Sequence, residues 1–217
     1  MTWKNHLYGD EENLGLLKTL SKRVGMLKKL RRFMPPTKFR QALAGLFESK
    51  LIYGMCVWTG VWGIPGLLGE DQDTRTSITK KEINRLQSLQ NKTLRLINGL
   101  DRSTSTHQLL DSTGYLSVHQ LGAYHSLLQV HKVRKSRQPE YHFNRLFGGT
   151  EQKLGNRSSD FPQARVDFKL ALSKGSFFYQ GSKLWSALPS SLKNQSNQSS
   201  FKKMCKKWIR VNIRVRP

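Results

Sequence analysis

Thr79-Lys80-Lys81-Glu82-Ile83-Asn84-Arg85-Leu86-Gln87-Ser88-Leu89-Gln90-Asn91-Lys92-Thr93-Leu94-Arg95-Leu96-Ile97-Asn98-Gly99 is the stretch that decides the fold. Its first four residues match a capping box, in which the Thr79 hydroxyl takes the backbone N–H three residues on and Glu82 reaches back. Gly99 is a natural helix stop, because a glycine enters the left-handed region without a Cβ clash. At about 100° per residue, Ile83, Leu86, Leu89, Leu94, Leu96 and Ile97 make an apolar arc, while Arg85, Lys92 and Arg95 cluster within about 80° on the other side. The pattern predicts an α-helix over 80–98 with one face in a core and the other cationic.

The same division recurs upstream. Over 13–34, Leu16, Leu17, Leu20, Val24, Leu27, Leu30 and Met34 share one arc, and Lys18, Lys22, Lys28, Lys29 and Arg32 fall opposite. Pro35-Pro36 ends that helix, since proline lacks an N–H and forbids helical backbone at its predecessor. A second helix is expected from Thr37 as N-cap, carrying Phe39, Leu43, Leu46, Phe47 and Tyr53 toward Trp58. Residues 60–78 read as a loop, with Gly-Pro punctuation and the acidic cluster Glu70-Asp71-Gln72-Asp73.

Downstream, a short helix is expected near 104–112. Ser117-Val118-His119-Gln120 then offers a second capping box into a helix through Arg134 that is apolar around most of its circumference. The pattern weakens over 135–175, apart from a short helix over 141–147 and an alternating stretch, 166–172, that predicts a short strand. Helical character returns at 181–188 and stops at Pro189. The last helix, 199–213, sets Phe201, Met204, Cys205, Trp208 and Val211 against Lys202, Lys203, Lys206, Lys207 and Arg210. The expected fold is mainly α: a helical bundle over 1–136, then a loop-rich segment, 137–217, with a basic C-terminal helix and room for one short β-strand or hairpin.

Composition bounds what this fold can do. The chain has 217 residues, 37 Lys plus Arg against 14 Asp plus Glu, a net charge of +23 and a pI near 10.4. With 37% hydrophobic residues there is enough material for a core, which argues against wholesale disorder. Cys56 and Cys205, 149 positions apart, cannot form a disulfide framework or a Cys-rich zinc site. They fit a reducing, intracellular setting, nuclear or cytoplasmic. Residues 1–7 hold no apolar run of signal-peptide length. Leu51 to Gly69 is uncharged, yet Pro65 and repeated glycines interrupt it, so a buried helix end and turn are preferred to a membrane span.

Reactive constellations are missing from the pattern. Nucleotidyl transfer needs carboxylates that hold two metal ions about 3.5–4 Å apart, whereas the acids group only at Asp10-Glu11-Glu12 and Glu70-Asp71-Asp73, where they read as helix-start and loop residues. His119, His125 and His131 recur every sixth position and therefore turn away from one another by about 240° per step on a helix. Cys205 has no partner motif and reads as a core residue, and no Gly-rich phosphate loop occurs. No catalytic residue, metal ligand or cofactor is assigned.

Cationic faces on several helices, with too few acids to compensate them, point to a polyanion as partner. The candidate contact residues are Lys18, Lys22, Lys28, Lys29 and Arg32, then Arg85, Lys92 and Arg95, then Lys183, Lys202 and Lys206. Phe177, Phe178, Tyr179 and Trp185, set between Lys174 and Lys183, could stack on bases or belong to the core. A second reading uses the basic amphipathic helix 199–213, with Trp208 on its apolar side, as a membrane-surface or partner-helix element; a membrane is the less favoured partner.

Read as strings, several segments resemble the region downstream of the catalytic palm in reverse transcriptases of non-LTR, jockey-like retrotransposons. Ser21-Lys22-Arg23-Val24-Gly25-Met26-Leu27-Lys28-Lys29-Leu30-Arg31-Arg32-Phe33-Met34-Pro35 resembles the basic helix that opens the thumb, and Trp3-Lys4-Asn5-His6-Leu7 the segment leading into it. Tyr53-Gly54-Met55-Cys56-Val57-Trp58 is similar to the family's Tyr-x-x-x-x-Trp stretch. Leu86 through Gly99 is the most specific likeness, followed by Gly114-Tyr115-Leu116-Ser117-Val118 and by Ser176 through Pro189. The family's catalytic Tyr/Phe-Ala-Asp-Asp does not occur in these 217 residues, and the resemblance places it upstream of Met1. It implies a thumb and C-terminal segment of an RNA-directed DNA polymerase that holds RNA, DNA or an RNA–DNA hybrid beside a separate palm and fingers. Any Mg2+ would then belong to that palm.

Overall fold

Thr79 and Glu82 exchange the two hydrogen bonds of the capping box: the Glu82 N–H donates to Thr79 Oγ1 at 3.3 Å and the Thr79 N–H to Glu82 Oε2 at 2.7 Å. The helix they start, Lys80–Asn98, ends on Gly99 in the left-handed region at φ 62°. Both limits stand where the sequence puts them. The structure, a computed structural model, describes residues 3–9, 15–58, 79–101, 103–147 and 176–213, and all regular structure among them is helical. The expected loop over 60–78 and the expected strand over 166–172 lie outside the described residues.

In chain order the helices are α1 (Trp3–Tyr8), α2 (Leu16–Leu30), α3 (Pro36–Leu43), a π-helical segment (Ala44–Glu48), α4 (Ser49–Ile52), α5 (Met55–Trp58), α6 (Lys80–Asn98), α7 (Thr106–Thr113), α8 (Val118–Ser136), α9 (Glu140–Phe147), α10 (Phe177–Ala187), α11 (Ser190–Lys193) and α12 (Gln198–Asn212). They fall into two units. Unit 1 comprises Met1–Met55, Ile78–Val118 and Val215–Pro217, and unit 2 comprises Cys56–Ser77 and His119–Arg214. The division among the described residues downstream of α7 falls at the start of α8. The reason is that α8 contributes its side chains to the core of the C-terminal helices.

Within unit 1, α2 is the hub, packed against α1, α3, the π segment, α4 and α6. It buries Leu16, Leu20 and Leu27 and leaves Lys18, Lys22, Lys28 and Lys29 exposed. It is shorter than expected. The chain leaves it through a tight turn in which the Arg32 N–H donates to Lys29 O and the Phe33 N–H to Leu30 O. The next helix starts before Thr37: Pro35 takes the cap position in extended conformation and Pro36 the first helical one, where a missing N–H costs nothing.

That second helix does not run smoothly to Trp58. Phe39, Leu43, Phe47 and Leu51 are buried at every fourth position, a spacing that drifts by about 40° per step on an ideal α-helix. The wider turn at Ala44–Glu48 takes up the drift. Arg23 Nη1 donates to the Leu46 carbonyl there at 2.6 Å. At Tyr53 the backbone turns extended and Gly54 adopts φ 62°, so Tyr53 leaves the apolar face and stands 70% exposed.

Gln87, Gln90 and Asn91 form a polar seam inside unit 1. Gln87 Nε2 donates to Gln90 Oε1 and Asn91 Oδ1, both at 2.9 Å, and its Oε1 accepts the Val118 N–H at 2.8 Å. Gln90 Nε2 donates to the Leu116 carbonyl and Asn91 Nδ2 to Thr106 Oγ1, each at 2.9 Å. The seam ties α6 to α7 and to the strap that enters α8. A capping box not read from the sequence, Ser105 with Gln108, opens α7.

Unit 2 is built on α8, which buries Ala123, Leu127, Val130 and Val133, with Leu146 from α9, Leu184 and Trp185 from α10, and Phe201, Cys205 and Ile209 from α12. On α12, Ile209 faces inward, whereas Val211, expected on the apolar side, is 75% exposed. Gly181 is required where α10 meets α8, because a Cβ there would come within 2.9 Å of Val130 Cγ2. His131 stacks on Phe201 with ring centroids 4.0 Å apart and donates through Nε2 to the Gln195 carbonyl at 2.8 Å. Burial holds His131 and His125 below the ordinary value of 6.5.

Two outcomes follow for stability. Gln90→Leu leaves the Leu116 carbonyl without its donor and should cost about 1–3 kcal/mol in chemical denaturation followed by helix content. The unfolded chain protonates His125 and His131 near 6.5 and the folded chain only below that, so unit 2 loses stability as pH falls under 6.5. Melting curves across that range should slope less steeply with pH for His131→Phe than for the parent.

Candidate nucleic-acid interface

Because α2 and α6 each bury one leucine face and pack on each other, their remaining faces lie side by side. Between them runs a groove of about 920 Å³. Lys28 and Arg31 line it from the α2 side and Lys92 and Arg95 from the α6 side, with Val24, Leu96, Gly99 and Leu100 completing its lining. None of these residues is acidic. The arrangement concentrates positive potential along a partly apolar channel, which suits a chain of regularly spaced anions.

Two of the four cations are fixed by the fold itself. Arg31 Nε donates to the Leu96 carbonyl at 2.9 Å, and its guanidinium lies 5.6 Å from the Phe39 ring centroid. Arg95 Nη2 donates to the Thr104 carbonyl at 2.9 Å, while its Nε is buried without a partner. Lys28 and Lys92 extend into solvent. The groove therefore pairs two anchored guanidinium groups with two mobile ammonium groups, and the anchored pair loses little side-chain freedom on meeting an anion.

Arg31 was not among the residues singled out from the sequence. Its position in the arc nearest Val24 and Lys28 was the available signal, but its role depends on α6 lying alongside. Lys18, Lys22, Lys29 and Arg32 stay exposed on α2 and the turn after it, outside the groove lining. Arg85 is exposed and shares the Tyr8 hydroxyl with Glu82. Lys183, Lys202 and Lys206 belong to unit 2, where all are exposed and the Lys183 ammonium lies 5.8 Å from the Tyr179 ring centroid.

The acids of unit 1 among the described residues are occupied with structure. Glu82 closes the capping box, Glu48 meets the Tyr115 hydroxyl, Asp101 accepts from Ser103 Oγ and Asp111 lies 2.8 Å from His107 Nδ1. Lys18, Lys22, Lys28, Lys29, Arg32 and Lys92 have no acidic partner among the described residues. Burial, followed by the Glu48 carboxylate, raises the Tyr115 hydroxyl well above the usual phenol range.

Unit 2 decides between the two readings left open for one aromatic residue. Trp185 is fully buried, with the Arg134 guanidinium 5.6 Å from its ring centroid, so it is a core residue and no base can stack on it. Phe177 and Phe178 are half-buried and edge onto His142 and Tyr141. Burial pushes the Cys205 thiol up to about 12, which keeps it protonated and unreactive at neutral pH.

The chain matches no family model, and it has no significant match among curated proteins or among solved structures. Arg31→Met keeps a long apolar stem but removes the bond to Leu96; it should lower the stability of unit 1 by about 1–3 kcal/mol. Lys28→Gln and Lys92→Gln, made at exposed positions, should change the stability by no more than about 0.5 kcal/mol each, and upward, because they relieve like-charge repulsion.

Proposed function

We propose that this chain holds the backbone of a nucleic acid through the α2–α6 face of unit 1, as a palm-less segment of a retroelement-type RNA-directed DNA polymerase. It contributes grip and no bond-making chemistry of its own. The observation that carries the reading is the groove: cations from two helices converge on it, two of them anchored, with no acid among its described lining residues. Phosphate contacts of this kind position a nucleic acid without reading its sequence. RNA, DNA and a hybrid therefore all qualify as ligands, and the palm and fingers of such a polymerase would supply the reaction and its metal ions.

Burial on α12 weighs against the membrane or partner-helix alternative. Phe201, Cys205 and Ile209 are covered within unit 2, so the apolar stripe that an interfacial helix would lay into a bilayer is already used. Among the described residues no helix is long and apolar enough to cross a membrane.

Salt dependence tests the proposal. Each neutralised phosphate contributes about −0.9 to the slope of log affinity against log salt on duplex DNA, and about −0.7 on a single strand. Lys28→Gln with Lys92→Gln should therefore flatten the slope by about 1.8 on a duplex and about 1.4 on a single strand, nearly independently of sequence. A slope unchanged by the double substitution would remove the groove from the binding face.

A further inference from the structure

Leu16, Leu20 and Leu27 bury the inner face of α2, yet two large apolar side chains point away from the core: Met26 is 57% exposed and Phe33 84%. Lys22, Met26 and Lys29 fall within about 60° of one another around the helix, and Phe33 follows in the turn that closes it, next to Arg32. From 13 through 47 the sequence contains no acid. Isolated exposed hydrophobic residues are ordinary. These two alternate with unpaired cations on the outer side of a helix whose groove side is also cationic, and Phe33 is among the most solvent-accessible large side chains described.

Anionic occupants with apolar surface to offer are few. A bilayer would need a continuous apolar face, and the continuous apolar face of α2 is inside the unit. A duplex presents phosphates and sugars outward and hides the faces of its bases. A single strand presents phosphates and unstacked bases together, and aromatic side chains set among cations are the usual platform for it. We infer that unit 1 binds single-stranded nucleic acid in preference to duplex, with a base stacked on Phe33, Met26 beside it, and the flanking phosphates on Lys22, Lys29 and Arg32. This rests on the polyanion reading above and adds to it the strand state of the ligand.

The test uses the full chain and fluorescence anisotropy with four probes of equal length, about 12 nucleotides: a DNA single strand, an RNA single strand, a duplex, and an abasic sugar–phosphate strand. Both base-bearing single strands should bind about five- to a hundredfold more tightly than the abasic one, the ratio given by one stacked base. Phe33→Ala should erase that ratio without altering the salt slope, and Phe33→Trp should preserve it, with the new indole's emission quenched on binding. Equal binding of abasic and base-bearing strands, or tighter binding of the duplex, overturns the inference and leaves the polyanion reading standing. Binding of none of the four overturns both. A Phe33→Trp emission that shifts to the blue on phosphatidylserine vesicles and is not reversed by oligonucleotide assigns the stripe to a membrane and also overturns it.

Discussion

Everything in unit 1 turns on the side-by-side packing of α2 and α6. Each helix carries leucines on one face and Lys or Arg on the other, and burying the leucines leaves the cations no place except the outer walls. Arg31 makes the coupling explicit. Its guanidinium donates to a carbonyl of the neighbouring helix and lines the groove, so the contact that joins the two rods also sets one of the charges presented to an anion. With a net charge of +23, such concentration destabilises the unliganded chain through self-repulsion, and a polyanion relieves it. On the proposed function, grip and stability are opposed within the same pair of helices.

Local signals were legible and relational ones were not. Thr79 with Glu82 and the stop at Gly99 fixed α6, because capping chemistry is decided by residues three or one apart. Periodicity sorted the lysines of α2 from its leucines for the same reason. Arg31 escaped notice because its value lies in the Leu96 carbonyl, 65 positions away, which no periodicity reveals. Gln90 and Asn91, polar residues outside the apolar arc of α6, are buried, each satisfied by a partner on another element. Trp185 sits among lysines and glycines in a context that suits base stacking as well as a core, and the fold places it in a core with His131 and Phe201.

Unit 2 shows the converse of the groove. There the titratable groups are turned inward: His131 is stacked and bonded, Cys205 is kept a thiol, and the Arg134 guanidinium lies against Trp185 and donates to the Lys193 carbonyl. Such groups hold helices together through their polar ends while their rings and stems fill space. Lysines on α12 remain outside, exposed along the side away from Phe201, Cys205 and Ile209.

The widened turn at Ala44–Glu48 has an evolutionary reading. A loop absorbs an extra amino acid silently, but a helix must either shift every side chain beyond it by about 100° or swell locally to contain it. Here the swelling keeps Phe39, Leu43, Phe47 and Leu51 in line, and the Arg23 guanidinium caps one of its carbonyls. Deleting a single codon in that segment would restore a regular spiral and keep Leu51 in line, whereas adding a further one would turn Leu51 away by about 100°. A one-residue deletion in this short stretch is therefore far closer to neutral than a further insertion.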